Sequence, residues 1–312
     1  MRRLLSVIAA AALLLAACGT STPEPADSGA PATEAPSPAA PQTAAECAAA
    51  NASAFFAPGA VTIATDNPAY PPYFQGGETE DHPDWQLNDP YTGTGFESAV
   101  AYEVASRMGF SAEAVTWTPV PFNQLYKPGD TTWDFAINQI SFSDKRAQSV
   151  DFSASYYDEN QALVAIADTP ITAAMSVADL AAYSLAAPIG TTSYDFIVET
   201  IQPTEEPGGY ATLADTVAAL NAGQVDGIIV DLPTALYLAD PYVQEVDPGV
   251  VVGQFAAEAG GGYFGMTLEK GSALTACVDL ALASMREDGT LAALETQWLS
   301  EQTNVGEVPV LE

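Results

Sequence analysis

An α/β fold of two doubly wound lobes is predicted for this chain by three observations. From residue 61 onward, short apolar runs rich in Val, Ile and Thr alternate with amphipathic helical stretches, the pattern of a largely parallel sheet covered on both faces. The alternation restarts near residue 176, which gives a second α/β unit of similar size. The segment carrying both units is about 260 residues long, enough for two compact lobes.

The N-terminus is set apart from this body. Arg2 and Arg3 precede the apolar residues 4–17, a stretch with the charge and length of a signal peptide over residues 1–17. "LAAC", ending at Cys18, resembles a bacterial lipoprotein cleavage box, so Cys18 is the expected lipidation site and the outer face of the cell membrane the expected location. Residues 18–45, rich in Pro, Ala, Ser and Thr, bury too little apolar surface to offset the entropy of ordering and read as a tether.

Composition excludes several functions. With 40 acidic residues against eight Lys and Arg, a net charge of −32, the chain lacks the basic patches that phosphate recognition needs, so no nucleic-acid partner is expected. The charge suits solubility in a salty or wall-associated setting. A single histidine, His82, leaves no Ser-His-Asp, Cys-His or multi-His metal constellation to assemble. Asp81, His82, Asp84 and Asp89 read as a solvated loop rather than a cation site. "GGGYFG" at residues 260–265 has the glycine spacing of a dinucleotide fingerprint but continues as a strand, so no cofactor is implied. Cys47 and Cys277, in an oxidising compartment, are expected to form a disulfide.

The elements follow in order. "AVTIAT" reads as a strand, and "FESAVAYEVASRMGF" as a helix with Arg107 near its end and Gly109 as its stop. "AEAVTWTPV" and "WDFAIN" are strands; Ser143 caps a short helix holding Lys145 and Arg146, and "SVDFSA" is strand-like. The second unit comprises helices at "SVADLAA", "SYDFIVETI", "ADTVAALNAG" and "PTALYLA" and strands at "YSLAAPI" and "QVDGIIV". Two C-terminal helices joined at Asp288-Gly289 are expected to pack back on the first lobe. The assignment is residues 46–160 and 258–303 to lobe 1, 161–257 to lobe 2 and 304–312 to a tail, with hinges near "QALVAIA" and "VVGQFA".

In open α/β sheets ligands bind beyond the carboxyl ends of strands. Those positions hold Asp66, Asn67 and Tyr70 after the first strand, and Asn138, Gln139 and Ser141 after "WDFAI". In the second unit they hold Gly190, Thr191 and Thr192 after "AAPI", and Asp231 after "GIIV". The turn at residues 190–192 opens a helix and offers N–H groups to an anion. Arg146 supplies a bidentate fork for the same anion, and Asp231 suits an ammonium group. Together these describe a site for a zwitterion. Each has a duller alternative: Arg146 as a surface cation paired with Asp144 or Asp151, Asp231 as a helix cap, and Tyr70, Phe122 and Trp85 as packing aromatics. Lys145 reads as a surface cation and Glu97 as structural.

At these residues the sequence resembles the extracytoplasmic amino-acid-binding proteins that feed ATP-driven importers, solute-binding protein family 3. The likeness spans about residues 61–298 and rests on "TIATDNPAYPPY", "GFESAVAYEVASRMG", "INQISFSDKRAQSVDFSASYYDENQALV", "GTTSYDFI", "GQVDGIIVDLPTA" and "EDGTLAALETQWL" in family order. It implies a type II periplasmic-binding-protein-like fold, two doubly wound lobes joined by two crossover segments, acting as a monomer with the membrane subunits of an ABC importer and without catalysis. Arg146 would grip a ligand α-carboxylate with Ser141 and Thr192, and Asp231 the α-amino group. Phe122 and Tyr70 would wall the side chain, and Asp66 and Asn67 would line the first-lobe side.

The chain departs from that pattern twice. Asn138 and Gln139 stand where Gly or Ser is usual, and residues 75–94 exceed the usual tight turn, with a lid over the cleft through Trp85 and Tyr91 as one reading. Since Arg146 is the one candidate cation facing Asp66 and Asp231, neutral or polar amino acids are expected first, cationic ones next and acidic ones last. The rival expectation is a lyase resembling cyclohexadienyl dehydratases, with Glu97, Asp66 or Asp231 as general acid. A third, a sensory ligand-binding module, would need a signalling domain.

Overall fold

A computed structural model describes residues 43–255, 262–300 and 308–312. The expected signal peptide, Cys18 and all but the end of the tether lie outside the described residues. Among the described residues no helix is long and apolar enough to cross a membrane.

The first sheet is built around β1 (Val61–Thr65), which pairs in parallel with β2 (Val115–Pro119) and β3 (Phe135–Ala136). β4 (Val150–Phe152) closes one edge through the late strand β12 (Thr267–Glu269), which runs antiparallel to both β3 and β4. Alternation along β1 separates the two faces, as a period of two requires. Val61 and Ile63 enter the main core with helices α1 (Ala44–Ala50), α2 (Phe96–Arg107) and the C-terminal pair, whereas Ala64 joins a small cluster with Leu125, Ala136 and Ile140. That second face lies under the cleft.

The second sheet has the order β13-β10-β6-β9-β7-β8. Its members are β6 (Gln161–Ile166), β7 (Leu185–Pro188), β8 (Gly208–Tyr210), β9 (Gly227–Asp231), β10 (Gly249–Phe255) and β13 (Val310–Leu311). Leu163, Ala165, Leu185, Ala187 and Ile229 face one core; Ala162, Val164, Ala186, Ile228 and Val230 face the other. Both faces are therefore covered, by α4 (Thr192–Phe196) on one and by α5 (Leu213–Asn221) and α6 (Leu232–Leu238) on the other.

The hinges expected near "QALVAIA" and "VVGQFA" fall beside two strands of the second sheet. "QALVAIA" and "VVGQFA" form β6 and β10, which pair with each other antiparallel inside the second sheet. Their apolar runs reflect burial on both faces. The first crossing falls just before them, where β5 (Tyr157–Glu159) leads into β6 and pairs antiparallel with β11 (Gly262–Phe264). Residues 308–312, to which the sequence reading gave no element, add the edge strand β13 beside β10.

Smaller differences are local. "SVADLAA" forms a 3-10 helix, Val177–Ala182, behind a Ser176/Asp179 capping box. "SYDFIVETI" is one α-turn followed by a π segment, Ile197–Ile201. Beyond β11 the chain runs on into β12 and no helix opens, as the rejection of the dinucleotide motif expected. Helices α7 (Thr275–Glu287) and α8 (Thr290–Glu295) meet at Asp288-Gly289 and pack on the first lobe. The expected Cys47–Cys277 disulfide ties α1 to α7. Trp85 is buried in the first core and Tyr91 packs on it, with the Tyr91 hydroxyl accepting from Trp117 N at 2.9 Å. Those aromatics thus anchor residues 75–94 to the first lobe instead of forming a lid.

Candidate functional site

The N-terminus of α2 fixes the first wall of the cleft. Phe96 N donates to Pro72 O, and Glu97 and Ser98 N both donate to Tyr73 O, so the helix's unsatisfied amides hold the loop that carries Tyr70 and Tyr73. Gly95 permits this approach: it has φ of 93°, and a Cβ there would meet Tyr73 O at 2.5 Å. Below this loop, Asn138 Oδ1 accepts from Thr65 Oγ1 at 2.7 Å and Asp66 N at 3.2 Å, and Asp66 Oδ1 accepts from Asn67 N at 2.8 Å. Burial raises the Asp66 carboxyl above its ordinary range.

Two of the expected selectors have their amides occupied. Asn67 Nδ2 donates to Asp84 O and its Oδ1 accepts from Gln86 N, so this side chain holds the 84–86 segment. Gln139 adopts the left-handed region, φ of 45°, and both its N and Nε2 donate to Glu97. Glu97 is fully buried and also accepts from the Tyr156 hydroxyl, which makes it the support of the Gln139 turn, in keeping with its structural reading.

Burial moves the Glu97 carboxyl up to about 7 against its ordinary 4.5. A carboxyl raised on folding holds its proton in the folded state while the unfolded chain has lost it. Its contribution to stability is therefore fully present below about pH 4.5 and lost as pH rises to about 7, a change of roughly 3 kcal/mol. Asp66, Asp134, Glu159 and Asp231 are raised as well, which adds to the same slope. Thermal unfolding followed from about pH 4.5 to about pH 8 is expected to show a Tm that falls with pH, and Glu97→Gln is expected to flatten the fall.

Ser143 caps the short helix α3 (Asp144–Ala147), its Oγ accepting from Arg146 N at 3.2 Å, and this aims Arg146 into the cleft. The guanidinium is buried, 4.3 Å from the Tyr126 ring centroid and 5.6 Å from that of Phe122. Nη1 donates to Ser141 O at 2.6 Å, and Nη2 crosses the cleft to Gly190 O at 2.9 Å. Those bonds occupy two of its five N–H donors. Asp151 pairs with Lys270 at 3.0 Å, so the surface-pair alternative for Arg146 is not what the structure has. Lys145 is exposed, as expected.

From the second lobe, Thr191 caps α4, its Oγ1 accepting from Tyr194 N, and Thr192 Oγ1 donates to Ser141 Oγ at 3.1 Å. With a single α-turn, α4 has less dipole to offer an anion than the sequence pattern suggested. Asp231 ends β9 at the first position before α6, yet its side chain makes no capping bond. It accepts from Gln161 Nε2 at 2.7 Å instead. Burial raises its carboxyl, against the lowering effect of bonds from Glu159 and Gln161.

All eleven sequence-predicted ligand residues line one cavity of about 500 Å³ between the lobes: Asp66, Asn67, Tyr70, Phe122, Asn138, Gln139, Ser141, Arg146, Thr191, Thr192 and Asp231. The sequence reading missed Tyr73, whose buried hydroxyl meets Thr234 Oγ1 of the other lobe at 3.2 Å, and Tyr237, which adds a second-lobe aromatic wall. It also missed Gln161 and Glu159 behind Asp231. A polar residue in an otherwise apolar strand was the available signal for Gln161. Among the described residues no His, Cys, Asp and Glu group could hold a metal ion.

Two α/β lobes bring a guanidinium, hydroxyls and a carboxylate to one cleft between them, the architecture of a two-lobed binding-protein fold. The family model for bacterial extracellular solute-binding proteins, family 3, matches residues 75–301, and the chain belongs to that family. This is the family expected from the motifs. Over 240 residues, 73% of this chain and 79% of the other, it is 29% identical to the L-cystine-binding protein TcyJ of Escherichia coli K12. Among solved structures it is similar to the substrate-binding protein of an amino-acid ABC transporter, with a TM-score of 0.63 and 21% identity over 78% of this chain and all of that one. It is also similar to an ancestral amino-acid-binding protein that is a precursor of cyclohexadienyl dehydratase, with a TM-score of 0.62 and 23% identity over 77% and 95%. These likenesses establish the two-lobed fold.

Proposed function

We propose that the protein binds a free α-amino acid in the interlobe cleft and delivers it to the membrane subunits of an ABC importer, as a monomer held at the outer face of the cell membrane by lipidated Cys18. The observation that carries the reading is the opposition of Arg146 and Asp231 across one cavity. Arg146, with Ser141 and Thr192, takes the α-carboxylate, and Asp231 takes the α-ammonium. Phe122, Tyr70 and Tyr237 flank the side chain, with Asp66 and Asn138 near its end. Asn138 Nδ2 has no partner among the described residues and is available to a polar side chain.

Arg146 is the cation lining this cavity, and Asp66 and Asp231 are both acidic, so a ligand carboxylate beyond the α-carboxylate has no partner. Neutral or polar side chains are favoured, cationic ones come second through Asp66, and acidic ones last. The protein is not an enzyme on this reading: Glu97, the general acid a lyase would draft, is turned away onto Gln139 and Tyr156.

The test is thermal shift followed by calorimetry with the twenty amino acids, L-cystine and a prephenate-like acid. Stabilisation by one or a few L-amino acids is the expected result. Silence from all of them, with turnover of the organic acid, would sink the receptor reading.

A further inference from the structure

Behind Asp231 lies a second carboxyl that ligand recognition as described does not use. Glu159, 3% exposed, sits on β5 at the crossing between the lobes, with its carboxyl beside Asp231 and Ser141. One amide spans both acids: Gln161 Nε2 is 2.7 Å from Asp231 Oδ1 and 3.4 Å from Glu159 Oε2. Its orientation is set from the other end, because Gln161 Oε1 accepts from Ser193 Oγ at 2.5 Å. The neighbouring strand passes close to the acid at Gly262, where a Cβ would stand in van der Waals contact with Glu159 Oε1 at 3.4 Å. Glu159 thus touches residues that contribute to both the carboxylate and the ammonium ends of the cleft.

We infer that Glu159 is a positioning residue of the ammonium subsite, held as a neutral acid whose hydroxyl donates to the Asp231 carboxylate and fixes the charge facing Arg146 at minus one. Two buried carboxyl groups spanned by one amide favour sharing a proton, since ionising both would set two like charges side by side out of water. The charged and titratable groups around Glu159 are Asp231, the Arg146 guanidinium, the Tyr156 and Tyr157 hydroxyls and the adjacent Asp158. Both tyrosines are pushed above their ordinary range and stay neutral, and of the charges Arg146 alone is positive. The proton leaves Asp231 as the ionised partner, with one oxygen held by Gln161 and a fixed orientation toward the cleft. A subsite of charge minus one opposite Arg146 balances a zwitterion; a subsite of minus two would favour a simple amine.

This inference rests on the amino-acid reading of the cleft for its binding arm, and its charge arm is independent of any ligand. For the charge arm, carboxyl carbon NMR of the protein labelled at glutamate, with the Glu159 signal identified by its loss in Glu159→Gln, is followed from about pH 4 to about pH 9. The signal is expected to remain that of the acid past the range near 4.3 where ordinary glutamates ionise. Titration with the exposed glutamates would overturn the inference whether or not a ligand is known.

For the binding arm, calorimetry with L-glutamine, L-cystine and L-lysine as probes compares two variants. Glu159→Ala is expected to weaken the probe that binds by about tenfold, and Glu159→Gln, which keeps an N–H donor without a charge, to restore it to within about threefold. Equal loss in both folded variants, or none in Glu159→Ala, would overturn the positioning role. If no amino acid binds the wild-type protein while Glu159 stays protonated, the amino-acid reading fails and the assigned charge state stands.

Discussion

Replacing Arg146 by alanine is expected to weaken amino-acid binding by about 3–5 kcal/mol, a loss of roughly two to four orders of magnitude in Kd. The size follows from burial. Arg146 is 7% exposed and its guanidinium lies over Tyr126, so a ligand carboxylate docked on it is desolvated and has no replacement cation. Most of the loss is the cost of leaving that carboxylate unpaired. Arg146→Lys separates charge from geometry: it keeps a cation but cannot hold Ser141 O, Gly190 O and a carboxylate with one planar fork, so roughly half the loss is expected to remain. Calorimetry on both variants, with circular dichroism to verify folding, measures this. Wild-type affinity in Arg146→Ala would remove Arg146 from the site.

Reducing the Cys47–Cys277 bond, or replacing both cysteines by serine, is expected to lower stability by about 2–4 kcal/mol. The two residues are 230 apart in sequence, so the bridge constrains nearly the whole described chain when unfolded. Chain entropy alone gives roughly 5 kcal/mol for such a loop, and measured values fall short because unfolded chains retain structure. The native contact also matters: both cysteines are buried in the first core, where α1 lies against α7. Denaturant unfolding with and without reductant tests it. An unchanged midpoint would mean that α1 detaches without loss to the rest. The cleft residues lie elsewhere, so ligand affinity below the unfolding transition is expected to persist.

Much of the site was legible because one topological rule operates on local information. Strand ends can be located from apolar runs, and the rule that ligands bind past their carboxyl ends selects Asp66, Asn138, Thr192 and Asp231 with no knowledge of how the lobes meet. Arg146 stood out because cations are scarce in a chain with 40 acids. What these side chains do once in place was less legible. Asn67 and Gln139 looked like selectors, yet their amides are taken by Asp84 and Gln86, and by Glu97, partners up to 42 residues away. Tyr73 and Thr234, 161 residues apart, meet only because the lobes face each other.

The two long apolar runs show how burial is written into the sequence. The hinges were expected near two apolar runs because these separate the α/β patterns; the runs themselves are β6 and β10, which pair with one another in the second sheet. A continuous apolar strand marks burial on both faces, and the shorter strands β5 and β11 lie beside these two in sequence and pair with each other.

By itself, then, the sequence determined the fold class, the family, the cysteine pair and which residues surround the cleft, since periodicity, strand ends and motif order are properties of neighbours along the chain. Tertiary structure decided which of those residues still have donors and acceptors to offer, where the lobes cross, and that a buried glutamic acid stands behind Asp231. Hydrogen-bond occupancy, burial and the sharing of a proton between carboxyls depend on distances across the fold, and no local pattern records them.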